Sequence, residues 1–244
     1  MTLYVGTSGW AYKEWKPDFY PEGIPQTRWL EHYTTVLTAC EINATFYRMP
    51  TEGAVAKWAA AAPPGFLFTA KAYRGLTYVK SIAPDDGRRA LLTDYVAALG
   101  PLAPKTGAIL LQFPAFRARD DEGLDALLSA LPPGPPYALE FRHESWDDDA
   151  VRARVAAAGA TTVVSETRGE APASLPPGPL AYVRLRASEY SEKARGAWRD
   201  LLAREAESRP VFAFAKHKTG LPAASEYGGI GLARWLAAEG AAKP

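Results

Sequence analysis

Cysteine is almost absent from this chain. Cys40 stands alone among 244 residues, which excludes an intramolecular disulfide and a thiolate cage around zinc. Histidine is scarce too: His32, His143 and His217 are the full complement, and His32 falls within a helical pattern. Neither sign of charge dominates, because 28 Lys and Arg face 27 Asp and Glu for a net charge of +1. A global field that draws in nucleic acid or anionic lipid is therefore missing, and any preference for an anion has to be local. Long apolar runs are missing as well. Nothing reaches the length of a membrane span, and the chain enters a strand-like run at Leu3 without a basic segment or an apolar leader. Together with the single cysteine, this predicts a cytoplasmic protein with no membrane partner.

The common cofactor and nucleophile signatures are also absent. "GTSGW", at Gly6–Trp10, lacks Gly-x-Gly-x-x-Gly spacing, is not a Walker loop, and runs into an aromatic, proline-containing segment instead of a helix. Neither it nor "RHESW" forms a Gly-x-Ser-x-Gly elbow. The cofactor is left unknown. A divalent metal has only His143 and His217, with Glu140 or Glu41, as a nitrogen and oxygen set, and no ligand-spacing motif joins them.

What is present reads as an ordinary globular balance, with 48% hydrophobic and 23% charged residues. Eight strand-like runs, at residues 3–7, 41–46, 66–71, 107–113, 137–142, 161–165, 181–186 and 211–216, are separated by helical patterns or turn clusters. That rhythm predicts an α/β protein with a single TIM-type (β/α)8 barrel domain over residues 1–244; an open doubly wound sheet is the alternative. Helical spacing recurs through Trp29, Leu30, Tyr33, Val36 and Leu37, then over 51–61, 86–99, 122–131, 191–208 and 223–238. Another helix is expected from a cap at Ser145 or Asp147 to a stop at Gly159. Between the sixth and seventh strands, "RGEAPASLPPGPL" is rich in Pro and Gly and predicts an irregular loop in place of a helix.

Polar residues gather at the ends of these runs, where a barrel carries its chemistry. In "EINATFYRMP", Glu41, Asn43 and Thr45 share one strand face, and Phe46 falls on the other. "YALEFRHESW" puts Glu140 and Arg142 on one face and starts its exit turn with His143. "FLFTAKAY" contributes Thr69 and Lys71, "AILLQFP" Gln112, "YVRLRAS" Arg184 and Arg186, and "FAFAKHK" Lys216 and His217. Four or five cations against two carboxylates make a cationic mouth, suited to a phosphate, carboxylate or sulfate. The competing reading is a structural network in which these cations offset Glu41, Glu140, Glu166 and Glu189.

These motifs, in this order, resemble the YecE-like family, whose domain of unknown function bears the number seventy-two. The resemblance rests on "GTSGWAYKEW" with "FYP", "EINATFYRMP", Lys71 in "FLFTAKAY", "LLQFP", "LEFRHESW" and "YVRLR", and covers nearly the whole chain. It implies a TIM barrel and supplies no reaction. The chain departs from the family pattern at Thr77-Tyr78, where Thr-His is frequent, and at Glu166, where Asp is. It departs again at Arg184-Leu-Arg-Ala, where Arg-Leu-His-Gly is frequent, and at Lys216-His217, in place of Phe-Asn-Asn. The loss of an imidazole at Arg186 weakens a histidine-based metal or proton-transfer role.

The expectation is an enzyme, a hydrolase or lyase, acting on a small or nucleotide-like anionic substrate that contains phosphate. Glu140, His143 and Lys71 would carry the chemistry. Ser8, Trp10, Tyr12, Glu41, Asn43, Gln112, Arg142, Arg184, Arg186, Lys216 and His217 would bind substrate, while Trp15, Phe19 and Tyr20 pack the core. The alternatives are a nucleic-acid-binding module that stacks bases on its aromatics, and a barrel that binds a metabolite without turnover. No motif sets the oligomeric state.

Overall fold

The structure, a computed structural model, describes residues 2–241. Its strands are β1 Leu3–Ser8, β2 Ala39–Ile42, β3 Leu67–Lys71, β4 Thr106–Phe113, β5 Tyr137–Phe141, β6 Thr161–Thr162, β7 Val164–Glu166, β8 Ala181–Leu185 and β9 Val211–Ala215. All pair in parallel, in the order β6-β5-β4-β3-β2-β1-β9-β8-β7. The two ends of that order, β6 and β7, are consecutive pieces of chain interrupted only at Val163. The first piece pairs with β5 and the second with β8. One broken strand thus brings the sheet round into a nearly closed, TIM-like barrel of nine parallel strands, not an open doubly wound sheet.

The helices are α1 Trp29–Thr34, α2 Ala44–Tyr47, α3 Glu52–Ala61, α4 Arg74–Thr77, α5 Asp86–Ala98, α6 Asp121–Ser129, α7 Asp149–Ala157, α8 Glu192–Glu205 and α9 Gly229–Ala241. Side-chain oxygens of Asp85, Asp120, Asp148 and Ser191 cap α5, α6, α7 and α8 by accepting from backbone N–H groups of the first turn. Each such cap contributes about 1 kcal/mol. The cap of α7 is Asp148, one residue beyond Asp147; Ser145 instead accepts from the Arg119 N–H. No helix or strand lies between Glu166 and Ala181.

The second strand is shorter than its alternation suggests. It ends at Ile42, and Asn43 turns to φ −91°, ψ −17° to start α2. Thr45 favours the break: its hydroxyl lies 2.7 Å from Lys71 O and 3.1 Å from Ile42 O, and its one hydrogen is shared between these two carbonyls. Short polar side chains compete in this way with regular ladders. Asn43 and Thr45 are therefore not on a strand, and Phe46 swings from the expected helix-facing side to the barrel mouth.

Strand alternation then layers the barrel interior. The lower part is apolar, filled by Ala39, Ala108, Leu110, Ala138, Val163, Tyr182, Phe212 and Phe214 with Tyr4 stacked on Phe212 at 4.9 Å. One step up each strand the inward residues become Ser8, Glu41, Thr69, Gln112, Glu140 and Arg184, all buried. Gly6 lies between the two layers on β1, and no side chain fits there: a Cβ would lie 1.8 Å from the Ala39 carbonyl oxygen. Gly9 follows at φ +90°, ending the strand and donating its N–H to Glu41 O.

Candidate functional site

Arg184 is the hub of the upper layer. It is 2% exposed, and each terminal nitrogen donates to a different buried carboxylate, Nη2 to Glu41 Oε1 (2.7 Å) and Nη1 to Glu140 Oε2 (2.6 Å). The remaining acceptors are also used. Tyr182 OH donates to Glu41 Oε2 (2.8 Å), Gln112 Nε2 to Glu140 Oε2 (2.7 Å), and Arg142 Nε to Glu140 Oε1 (3.2 Å). Burial by itself would raise the Glu140 carboxyl. Arg184, the Gln112 amide and Arg142 outweigh it and hold the group down at about 2. Glu41 is lowered in the same sense, with Arg184, Ser8 and Tyr182 opposing its burial. Both carboxylates stay ionised and committed.

Above this network opens a cavity of about 340 Å³, lined by Ser8, Tyr12, Asn43, Phe46, Tyr47, Lys71, Arg142, Arg184, Arg186, Lys216 and His217. Lys71 is 9% exposed, and its Nζ lies 3.9 Å from the centre of the Phe46 ring. Burial, then the nearby Arg184 charge, pushes its ammonium down to about 8. Among the described residues, no carboxylate lies within 4.0 Å of Lys71, Arg186 or Lys216. Three donors on cavity-lining residues are buried without partners: Ser8 Oγ, Arg184 Nε and Arg186 Nη1. Ser8 Oγ makes no hydrogen bond of normal geometry, yet it is near enough to Glu41 to favour the charged carboxylate.

The aromatic wall is partly as expected. Tyr12 donates to Ser8 O (2.5 Å) and stacks on His217 at 3.9 Å between ring centres, while its phenol is pushed up to about 12 by burial. Trp15 Nε1 donates to His217 Nδ1 (3.1 Å), so the imidazole is neutral with its proton on Nε2. Burial lowers its affinity for a second proton. Trp15, Phe19 and Tyr20 are buried in the core.

Trp10 and His143 are not in the lining. Trp10 packs edge-on against Trp58 (6.0 Å) and offers its carbonyl to Tyr20 OH. His143 Nδ1 accepts from the Ser145 N–H and caps the short turn Glu144–Trp146. Of Glu140, His143 and Lys71, only Lys71 faces the cavity; Glu140, Glu41 and Gln112 lie beneath it. Glu166, counted above among the offsetting acids, accepts from the N–H groups of Arg168, Gly169 and Glu170 and from Tyr190 OH, and so serves the following loop.

Phe46 and Tyr47 are the lining residues that strand alternation missed. The signal available was Asn43, a residue type depleted from strands, at the point where the backbone turns out of β2. The rings continue outward from the cavity, Phe46 meeting Tyr78 edge-on (5.4 Å) and Tyr78 meeting Phe116 (6.2 Å). Among the described residues, no group of three or more His, Cys, Asp or Glu is placed to hold a metal, and no helix is long and apolar enough to cross a membrane.

Comparison with known proteins places this chain in a family. The chain is 28% identical over 149 residues to the UPF0759 protein YunF of Bacillus subtilis, a match covering 59% of this chain and 52% of that protein. It is 29% identical over 142 residues to the UPF0759 protein YecE of Escherichia coli K12, covering 58% and 48%. The matched stretch thus spans about half the length of these relatives. A crystal structure of a DUF72 family protein from Thermotoga maritima superposes with a TM-score of 0.74 over 97% of both chains at 23% identity, a likeness of fold. The description "Protein of unknown function DUF72" matches residues 4–228, most of the described chain, and the chain belongs to that family.

Proposed function

We propose that the chain forms one barrel domain over residues 1–244 and is an enzyme acting on a small anionic substrate bound at the cavity by a phosphate group. The observation that carries this reading is the excess of cations. Arg184 and Arg142 are balanced by Glu41 and Glu140, which leaves Lys71, Arg186 and Lys216 around one cavity with no carboxylate of their own among the described residues. A set of cations in a nearly neutral protein is stabilised when an anion arrives, and the fork of Arg186 with two lysine point charges suits phosphate oxygens.

In this reading Arg142, Arg186 and Lys216 hold the phosphate, and Ser8, Asn43 and Tyr12 orient the rest of the substrate. Glu41, Gln112 and Glu140 position Arg184 from below. Lys71 is the group whose protonation changes near neutral pH, and His217 presents a neutral ring. Hydrolysis or lysis of the phosphate compound remains the proposed class of reaction.

Calorimetric titration with inorganic phosphate and with a nucleoside monophosphate tests the reading. Saturable binding that weakens about tenfold or more in Arg186→Ala, the loss of one charge-assisted contact, is the expected result. Absence of binding at millimolar phosphate, or binding indifferent to that substitution, overturns it.

The exposed rings favour a second reading, single-stranded nucleic acid. Tyr47 is 72% exposed and Phe116 66%, and both flank the cationic mouth as a stacking ledge. An oligonucleotide that binds far more tightly than its mononucleotide, with a steep salt dependence, would favour this reading over the first.

A further inference from the structure

We propose that Lys71 is a nucleophile that forms an imine with the aldehyde or ketone carbon of a phosphate-bearing ligand. This rests on the anion-pocket reading above and assigns the chemistry of that pocket.

The inference begins with what Lys71 lacks. A buried lysine kept only for structure is paired with a carboxylate. Here both carboxylates beneath the cavity are engaged elsewhere, Glu41 by Arg184 and Tyr182, Glu140 by Arg184, Gln112 and Arg142, and neither lies within 4.0 Å of the Lys71 ammonium. Lys71 is nonetheless held in place. Its carbonyl accepts from Thr45 Oγ1 (2.7 Å) and from the OH of the fully buried Tyr95 (3.0 Å), which fixes the backbone at the end of β3. The same short helix that supplies Thr45 also sets the Phe46 ring under Nζ, 3.9 Å away. The amine is thus anchored, aimed into a cavity and left without an ionic partner.

Its chemistry follows from these surroundings. Burial and the adjacent guanidinium of Arg184 push the ammonium down to about 8, so a useful fraction is neutral amine at physiological pH. The lone pair of Nζ attacks the carbonyl carbon, and a C–N bond forms as the C=O π pair moves to oxygen. A proton passes from nitrogen to that oxygen. The carbinolamine then expels water, leaving C=N and one released water molecule, with no change in oxidation state. One proton from solvent then gives the protonated imine, which carries the same charge as the original ammonium, so the Phe46 face that receives the ammonium also receives the iminium. Arg186 and Lys216 hold the phosphate while the carbonyl approaches.

Pyridoxal 5′-phosphate, an aldehyde with a phosphate, is a suitable probe, and pyridoxal is its phosphate-free control. Each is incubated with the protein and reduced with borohydride, and the adduct is located by mass spectrometry. One saturable adduct per chain at Lys71 is expected, slowed about tenfold for pyridoxal and suppressed by inorganic phosphate. Its rate should rise through pH 8, the range in which Lys71 loses its proton. Lys71→Arg, which keeps the charge but removes the nucleophilic amine, should abolish the adduct. Phosphate binding with adducts scattered over surface lysines overturns the imine and leaves the anion pocket standing. A Lys71 adduct that forms equally with pyridoxal and ignores phosphate supports the nucleophile and overturns the anion pocket.

Discussion

Arg184 and Lys71 both reach the polar layer at the top of the barrel, one from β8 and one from β3, yet their surroundings are opposite. Arg184 is enclosed by acceptors on both terminal nitrogens, and its charge is held far into the alkaline range despite burial. Lys71 is also buried, meets an aromatic face instead of a carboxylate, and has its ammonium pushed down to about 8. The contrast teaches that burial does not decide what a cation does. Partners do: a desolvated charge held between carboxylates becomes structure, and one left without an ion pair becomes reactive or awaits a ligand.

The most severe way to break this contrast is to remove the paired cation. Arg184→Met leaves Glu41 and Glu140 buried without their shared partner and should cost about 3–5 kcal/mol in urea unfolding. A loss below about 1 kcal/mol would mean that the carboxylates find other partners or water.

Acid titration addresses the same network more gently. Glu140 is lowered from 4.5 to about 2, so between those values the folded protein binds fewer protons than the unfolded chain. Its contribution is therefore complete above pH 4.5 and is lost as pH falls toward 2, amounting to about 2–3 kcal/mol. Melting curves of Glu140→Gln should be flatter across that window than those of the unaltered protein. Parallel curves would assign the acid sensitivity elsewhere.

Lys71 should titrate with a slope of the same sign, in an alkaline window and from a charge that destabilises the fold at neutral pH. Its amine is lowered from 10.5 to about 8, so the folded state again holds fewer protons, and stability rises as pH climbs from 8 to 10.5. The gain is about 1–3 kcal/mol, and Lys71→Met should remove that slope while raising the melting temperature at pH 7. A variant that melts lower at pH 7 would show Lys71 to be a paired, stabilising charge.

The smallest effect on stability belongs to Arg142. Its side chain is 38% exposed and meets Glu140 through Nε at 3.2 Å, so Arg142→Ala should shift unfolding by no more than about 1 kcal/mol. Phosphate affinity in the same variant should fall measurably. A collapse in melting with unchanged affinity would move Arg142 from the ligand to the framework.

Much of this arrangement was legible in the residues. Runs of β-forming residues separated by helical patterns announced the parallel barrel, and alternation placed Glu41, Gln112, Glu140, Arg142 and Arg184 on inward faces. The break at Val163 was not legible, because β6 and β7 are short pieces whose pairing is settled by the neighbours on either side. Nor was the early end of β2, where the Thr45 hydroxyl, shared between two carbonyls, competes with strand pairing. Trp10 and His143 looked like site residues because ring and imidazole at a strand end suit a ligand equally well as a packing partner or a cap.

What the sequence alone determined is the order of the elements and the polarity of each strand face, since both follow from local periodicity and composition. The tertiary structure alone decided which charge meets which. Glu41 and Arg184 are 143 positions apart and 2.7 Å apart in space, and only the curvature and stagger of the closing sheet set that distance. With Arg184 taking both carboxylates, Lys71 keeps no ion pair within 4.0 Å among the described residues, and in a desolvated cavity its ammonium holds its proton less tightly than that of a paired lysine.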